Sequence, residues 1–404
     1  MKHRRDKVGR TVSRTRRNDR YAESSKLDRT REKTYVYYDY SLLFLVLFLA
    51  CFGLVMIYST SYYSAELVRN DSMYYLKRQA LLVIAGTVAM LIVSKMDYRL
   101  LLGKIKGIKI SFIMCIYVLT LGLLIYVLLF GAEFNGAKRW IKLGPLGTFQ
   151  PSDFAKLTAI LVTSYIIYLS PQIVNSFMGF VKVMIIMLPI IGLIAAENLS
   201  TAIVVTAIVA GICFVASKKK MYFLVAGGLF ATAVAGYIAL GTFMGSGFRA
   251  QRVQIWLNVE THPKGFQILQ GLYAIASGGM FGKGLGQSMQ KLGYVPEAQN
   301  DMIFSIICEE LGLLGAIAII FIFLMLLWRI LIITISAPDL FGGLICCGVL
   351  VHVAIQVIMN VAVVTNSMPS TGVPLPFISY GGTAVAMLLV EMGMVLSVSN
   401  QVNR

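Results

Sequence analysis

The chain is 404 residues long, 57% hydrophobic and only 14% charged, with a formal net charge of +17 and a mean hydropathy of +0.76. That balance excludes a water-soluble multidomain enzyme and describes a polytopic membrane protein.

A basic tail, residues 1–40, comes first. Residues 1–33 hold 13 Lys and Arg against five Asp and Glu, a net +8. With no apolar core of its own and no visible cleavable signal peptide, this stretch is expected to be a disordered cytoplasmic tail. Its charge reflects topology and attraction to anionic membrane lipids rather than nucleic-acid binding. At about 20 apolar residues per span, ten segments follow, at 41–61, 79–96, 109–130, 154–170, 180–197, 200–217, 222–244, 302–335, 342–365 and 377–399. The expected fold is therefore an all-α polytopic membrane domain over residues 41–400 with about ten transmembrane helices. Lys104, Lys106 and Lys109, the run from Lys218 to Lys220, Arg329 and Arg404 all fall on the side of the basic tail, so both termini are expected in the cytoplasm. The loops 131–153, 245–301 and 366–376 then lie outside, the large one between spans seven and eight, and the chemistry is expected there.

All six cysteines, Cys51, Cys115, Cys213, Cys308, Cys346 and Cys347, fall within spans, where thiols pack as small apolar groups, and no disulfide framework is implied. His3, His262 and His352 are scattered, with no zinc spacing and no Ser/His/Asp set. A Walker lysine loop and a dinucleotide fingerprint are also missing, which excludes nucleotide-driven chemistry.

Along the outer loops, polar residues collect in clusters. In GAKRWIKLGPLGTFQPSDFAK, Lys138 and Arg139 stand beside Trp140. They suit an anionic group on an amphipathic molecule at headgroup level, or serve as an interfacial anchor. Lys156, three residues after Asp153, either pairs with it on one helix face or faces the bundle interior to meet a buried diphosphate. Asn198 or Ser200 caps the helix after a short turn, which leaves Glu197 unexplained. In FRAQRVQIWLN, Arg249, Arg252 and Trp256 share one side of an interfacial helix. Two guanidiniums there bind a phosphate in bidentate fashion, or lipid headgroups without specificity.

The segment FGKGLGQSMQKLGYVPEAQNDMIFSIICEELGLLG carries a carboxylate, Asp301, to the boundary of water and lipid, with Glu309 and Glu310 deeper. A charge costs roughly 2.5 to 3.5 kcal/mol near the bilayer centre and less at its edge, so such groups mark chemistry or transport. The alternative is a carboxylate that starts a helix and meets its dipole. In NSMPSTGVPLPFISYGGTA, three prolines and a Gly-Gly pair make a rigid, shaped wall. Glu391 is a buried carboxylate in the last span with no partner evident in the sequence.

The segments GAKRWIKLG, FQPSDFAK, LGQSMQKLGYVPEAQNDMIF, EELG and TGVPLPFISYGG resemble, in order, the signature blocks of the SEDS family, the FtsW, RodA and SpoVE proteins of shape, elongation, division and sporulation. The resemblance covers essentially all of the chain after Tyr40, including the ten-span plan and the Lys77, Arg78, Gln79 entry to span two. KLGYVPEAQND and the basic tail are closer to the division branch, FtsW, and its sporulation relative than to the elongation branch.

Membership implies a peptidoglycan glycosyltransferase that polymerises lipid II outside the cytoplasmic membrane, at the division septum, with a class B penicillin-binding transpeptidase and other division proteins as partners. The family's essential aspartate in the PEAxxD block falls on Asp301, cast as the base for the attacking hydroxyl. Lys138, Arg139, Lys156, Arg249 and Arg252 become candidate binders of the diphosphate leaving group. Glu297 either supports a metal or orients its loop. A Mg or Mn divalent cation is expected, with no ligand set legible and no organic cofactor. The usual Gln-Pro-Ser-Glu reads QPSD here, Ala-His-Thr-Asp reads AQND, and Asn198 in ENLST replaces a family acid, so no acidic role passes to Asn198. Two other classes compete: a flippase for the lipid-linked precursor, which needs binding groups reachable from the cytoplasm, and a non-catalytic scaffold that recruits a transpeptidase.

Overall fold

The computed structural model describes residues 38–103, 111–134, 137–142, 148–223, 225 and 248–402. The basic tail to residue 37, Lys104, Lys106 and Lys109, nearly all of the expected span 222–244 and the Arg249 side chain lie outside the described residues.

Among the described residues nine helices are long and apolar enough to cross a membrane. They are α1 (Tyr40–Arg69), α2 (Tyr74–Lys95), α3 (Phe112–Phe130), α4 (Pro151–Leu169), α5 (Phe177–Glu197), α6 (Leu199–Ala216), α9 (Ile303–Ser336), α10 (Leu340–Val364) and α11 (Thr383–Asn400). Between α6 and α9 the described residues include two shorter helices, α7 (Phe248–Leu257) and α8 (Phe266–Gly278). Side-chain caps start several of the long helices: Asp39 accepts from the Leu42 N–H at 2.9 Å, Asp339 from Gly342 at 2.8 Å and Asn198 from Thr201 at 3.2 Å. Pro151 opens α4, where its missing N–H has no intrahelical role.

Helices α4 and α11 form the centre, each with 72% of its most apolar window buried, whereas α2 and α3 bury only 22% and turn most of their surface to lipid. Small residues bring backbones close: Gly86 packs against Ala386 and Leu389 of α11, and Gly348 of α10 against Ile160 and Ile212. All six cysteines are unpaired. Glu391 finds its partner here, His352 of α10, with Nδ1 at 2.7 Å.

The structure changes four expectations. α1 runs to Arg69 rather than residue 61 and ends on Asn70 in the left-handed region (φ 52°). The last span starts at Thr383 rather than 377, because the prolines and the left-handed Phe377 (φ 63°) and Gly382 (φ 51°) keep the backbone out of a helix until then. The loop 131–153 contains a three-stranded antiparallel sheet, β1 (Ala132–Phe134), β2 (Ala137–Lys142) and β3 (Thr148–Phe149), in the order β1-β2-β3.

The single expected span 302–335 is a broken helix. Gly312, at φ 70° and ψ −172°, interrupts α9. The part after Gly312 is about 36 Å long at 1.5 Å per residue, enough to cross a hydrocarbon core of about 30 Å by itself. Glu309 and Glu310 therefore belong to the part before the break, packed beneath α8 and the following loop, rather than to the middle of a span.

Charges at the two ends of the bundle have different surroundings. At the end holding the starts of α1 and α10, Arg329 pairs with Asp39 at 2.5 Å and Arg99 with Asp339 at 2.8 Å. The opposite end carries the sheet, α7, α8, the segment before α9 and the loop 366–382.

Candidate active site

Asp301 lies two residues ahead of α9. The helix is capped at Met302 with no side-chain cap, so Asp301 does not start it by capping. Its main-chain carbonyl accepts from Asn360 Nδ2 of α10 at 2.8 Å, and the same amide donates to the Val373 carbonyl at 2.9 Å. One buried asparagine thus ties the start of α9 to the proline-rich loop. Gly372 of that loop, left-handed at φ 65°, faces the carboxylate: a Cβ there would lie 3.8 Å from Asp301 Oδ2. A side chain at that position would be in van der Waals contact with the carboxylate and would strain the left-handed backbone.

The helix expected at residues 249–256 is present as α7, and its stripe docks on the same loop. Arg252 donates to the Ser370 carbonyl at 3.1 Å and the Trp256 indole to the Asn366 carbonyl at 2.9 Å. From the sheet, Arg139 on β2 donates through Nε to the Glu197 carbonyl at 2.8 Å, and the Lys138 N–H donates to the Glu197 carboxylate at 2.9 Å. Glu197, unassigned from sequence, is the anchor that holds β2 against the end of α5.

These groups sense one another. Burial pushes the Asp301 carboxyl above its ordinary value and nearby Glu297 adds to the rise, while its own N–H and the Arg252 guanidinium oppose it. Burial lowers Arg139, as does the neighbouring Arg252, against the pull of Glu197. Burial also lowers Arg252, with Asp301 working the other way. Two guanidiniums that repel each other beside a carboxylate reluctant to ionise make a site short of negative charge. A small cleft beside them is lined by Lys138, Arg139, Ser152, Glu197 and Asn198 over an apolar wall of Leu124, Val127, Leu128, Leu193 and Ile194.

The expected residues separate accordingly. Asp301, Arg252 and Arg139 come together, with Lys138 beside Arg139 and the exposed Glu297 near Asp301. Glu297, left-handed at φ 50°, accepts from Asn300 Nδ2 at 2.8 Å and orients its own turn. Lys156 adopts the pairing alternative: it meets Asp153 at 2.9 Å inside the bundle, each side chain 7% exposed. The Arg249 side chain lies outside the described residues. Asn360, Ser370 and Gly372 were not singled out from sequence, since their roles arise from contacts made across loops distant in the chain.

Among the described residues no three His, Cys, Asp or Glu side chains converge as a metal cage. The buried side-chain oxygens of Asn300, Asn366 and Thr371 have no hydrogen-bond partner there. Such acceptors suit sugar hydroxyls or an oxygen-seeking cation.

The family model FTSW_RODA_SPOVE, described as cell cycle protein, matches residues 40–404. Stage V sporulation protein E of Bacillus subtilis is 36% identical over 365 residues, covering 89% of this chain and 96% of that protein. The probable peptidoglycan glycosyltransferase FtsW of Trichlorobacter lovleyi is 36% identical over 366 residues, covering 90% and 93%. Among solved structures, a chain of a peptidoglycan synthase complex that coordinates polymerization and crosslinking superposes with a TM-score of 0.74 at 27% identity, covering 91% of this chain and 99% of that one.

Proposed function

The chain belongs to the FtsW/RodA/SpoVE family of cell cycle proteins, and from that premise we infer that it is a peptidoglycan glycosyltransferase polymerising lipid II into glycan strands for the septal wall. It is a multi-pass protein of the cytoplasmic membrane, working at the outer face, with both termini in the cytoplasm and the division septum as its place of action.

The observation that carries the mechanism is Asp301, held by Asn360, faced by Gly372 and neighboured by Arg252. Its carboxylate takes the proton from a GlcNAc 4-hydroxyl as that oxygen bonds to the anomeric carbon of the neighbouring lipid-linked chain. The bond from that carbon to undecaprenyl diphosphate breaks, and its electron pair leaves with the diphosphate. A base whose pKa is raised toward the working pH is a better proton acceptor. Departure of a diphosphate needs its charge neutralised more than it needs a proton. Arg139 and Arg252 supply positive charge that is already oriented by main-chain carbonyls, and Lys138 and Arg249 are the further cations assigned to lipid II, whereas Lys156 is neutralised by Asp153. At the small cleft Lys138 and Arg139 present cations next to an apolar wall, the pairing of chemistries that a lipid diphosphate carries.

A Mg or Mn ion is part of this proposal. It would be held chiefly by the substrate's diphosphate oxygens, since Glu297 is engaged with Asn300 in orienting its own turn, and it would supply charge neutralisation of the leaving group. The partner assigned is a class B penicillin-binding transpeptidase, which crosslinks the strands, with other division proteins around it. The solved synthase complex, in which polymerization and crosslinking are coordinated, supports that assignment.

The test is polymerisation of lipid II confined to the outer leaflet of proteoliposomes, with and without the transpeptidase. Glycan strands are expected. Transfer of labelled lipid II between leaflets with no strands under any partner or metal condition would favour a flippase, and neither activity would favour a scaffold.

A further inference from the structure

The break in α9 has its hydrogen bonds completed by another part of the chain. The Leu313 and Leu314 N–H groups donate to the Gly279 and Met280 carbonyls at 2.9 and 3.2 Å. The Glu309 and Glu310 carbonyls accept from the Lys283 and Gly284 N–H groups at 3.0 and 2.9 Å. The fit is backbone against backbone: a Cβ on Gly282 would fall 2.2 Å from the Glu310 carbonyl oxygen.

The side chains repeat the connection. Glu309, fully buried, accepts from Lys283 Nζ at 2.7 Å, from the Met289 N–H at 3.2 Å and from Ser288. Glu310, also fully buried, accepts from Lys291 Nζ at 2.7 Å and from Ser59 of α1 at 2.7 Å. Lys291 donates to Ser59 as well, at 3.0 Å, and its ammonium lies 5.2 Å from the centre of the Tyr62 ring. The Lys291–Glu310 pair is buried on both sides, whereas Lys283, 34% exposed, reaches in from the surface to the buried Glu309; each pair is electrically neutral, so it holds position without adding a net field.

From Lys291 the chain reaches Asp301 through turns closed by Val295 N–H to the Gln290 carbonyl at 2.8 Å and Asn300 N–H to the Glu297 carbonyl at 2.9 Å. Val295 and Ala298 are each 3% exposed, and the Gln299 carbonyl accepts from the Tyr380 N–H at 2.9 Å. Asp301 therefore hangs between two fixed points, the Lys291 pair on α9 and α1 on one side and Asn360 of α10 on the other.

We propose that the buried pair Lys291–Glu310, seconded by Lys283 on the buried Glu309, is a positioning element for catalysis, clamping the segment 283–302 so that the Asp301 carboxylate is held in line with the attacking hydroxyl. The proposal rests on the glycosyltransferase reading above. Lys291 and Glu310 touch no reacting group in this account; they act through the loop that bears Asp301. A displacement of about 1 Å at a reacting group lowers rate by about 10²-fold.

The experiment uses the full chain in lipid nanodiscs with its transpeptidase. It compares wild type, Lys291→Gln, Lys291→Arg, the neutral pair Lys291→Gln with Glu310→Gln, and Asp301→Asn. Two readouts are taken: amide hydrogen exchange over residues 292–302, and kcat and KM for lipid II. Lys291→Gln and the neutral pair should exchange faster over 292–302 with α10 and α11 unchanged, and should lose about 10²-fold in kcat at an unaltered KM. Lys291→Arg should restore most of the rate. Folded Lys291→Gln with wild-type exchange in that segment, or with its loss confined to KM, would overturn the clamp. A wild type that makes no glycan would defeat the glycosyltransferase reading instead, with the exchange result still judging the clamp, whereas an Asp301→Asn as fast as wild type would remove Asp301 as the base and overturn the catalytic purpose of the clamp.

Discussion

Asp301 and Asp339 occupy matching places at opposite ends of the bundle, each just ahead of a long apolar helix, yet their surroundings act in opposite directions. Burial raises both carboxyls. At Asp339 that rise is outweighed by the Gly342 N–H, the Tyr98 hydroxyl and the Arg99 guanidinium, so its pKa falls below 3.8. At Asp301 it is not outweighed, and the carboxyl stays above the ordinary value. Asp339 caps α10, whereas Asp301 caps nothing. A carboxylate whose partners are complete stabilises the fold; one kept short of partners keeps its proton affinity and is available for chemistry. The linkage signs differ accordingly. Asp339 contributes stability that is present above the unfolded value of 3.8 and lost as pH falls through its lower folded value. For Asp301 the contribution is present below 3.8 and lost as pH rises through its higher folded value.

The largest effect that separates the two is on turnover. Asp301→Asn should lower lipid II polymerisation by about 10²- to 10⁴-fold, the range for losing a general base, with no fall in melting temperature. Asp339→Ala should leave the turnover of folded protein intact. Next in size, Arg139→Gln or Arg252→Gln should each reduce kcat/KM by about 10- to 100-fold, since hydrogen bonds to charged groups contribute about 1.5 to 3 kcal/mol. Equal activity in either variant would remove that guanidinium from the leaving-group site. Asp339→Ala should then cost about 1 to 3 kcal/mol of stability through the lost cap and its charged neighbours, read as a lower melting temperature in detergent. Arg99→Gln, which removes a half-exposed pair, should cost under about 1 kcal/mol. If Arg99→Gln destabilised as much as Asp339→Ala, the ion pair rather than the cap would be what holds that end together.

The contrast between the two aspartates also marks what the sequence could convey. Long apolar runs made the spans legible, and Asp301 stood out because a carboxylate at the edge of such a run is costly. The stripe of Arg249, Arg252 and Trp256 gave α7 through its helical spacing. Hydropathy is blind to backbone dihedrals, so the break at Gly312 inside a continuous apolar run could not be seen, nor could the pairing of Glu309 and Glu310 with Lys283 and Lys291. Asn360 reads as an ordinary polar residue in a span, although it tethers Asp301 from 59 positions away. Separation in sequence likewise hid His352 as the partner of Glu391, 39 positions apart. The strand Ala137–Lys142 was masked by flanking Gly and Pro residues, which signal turns more strongly than six residues signal a strand.

The most direct test of Asp301 as the base is the pH dependence of kcat/KM for lipid II polymerisation in wild type, Arg252→Gln and Glu297→Gln. The wild-type acid limb should lie above the ordinary aspartate range, move up when the Arg252 charge is removed and move down when the Glu297 charge is removed. A limb at the ordinary carboxylate value that neither variant shifts would contradict the assignment of Asp301 as the proton acceptor.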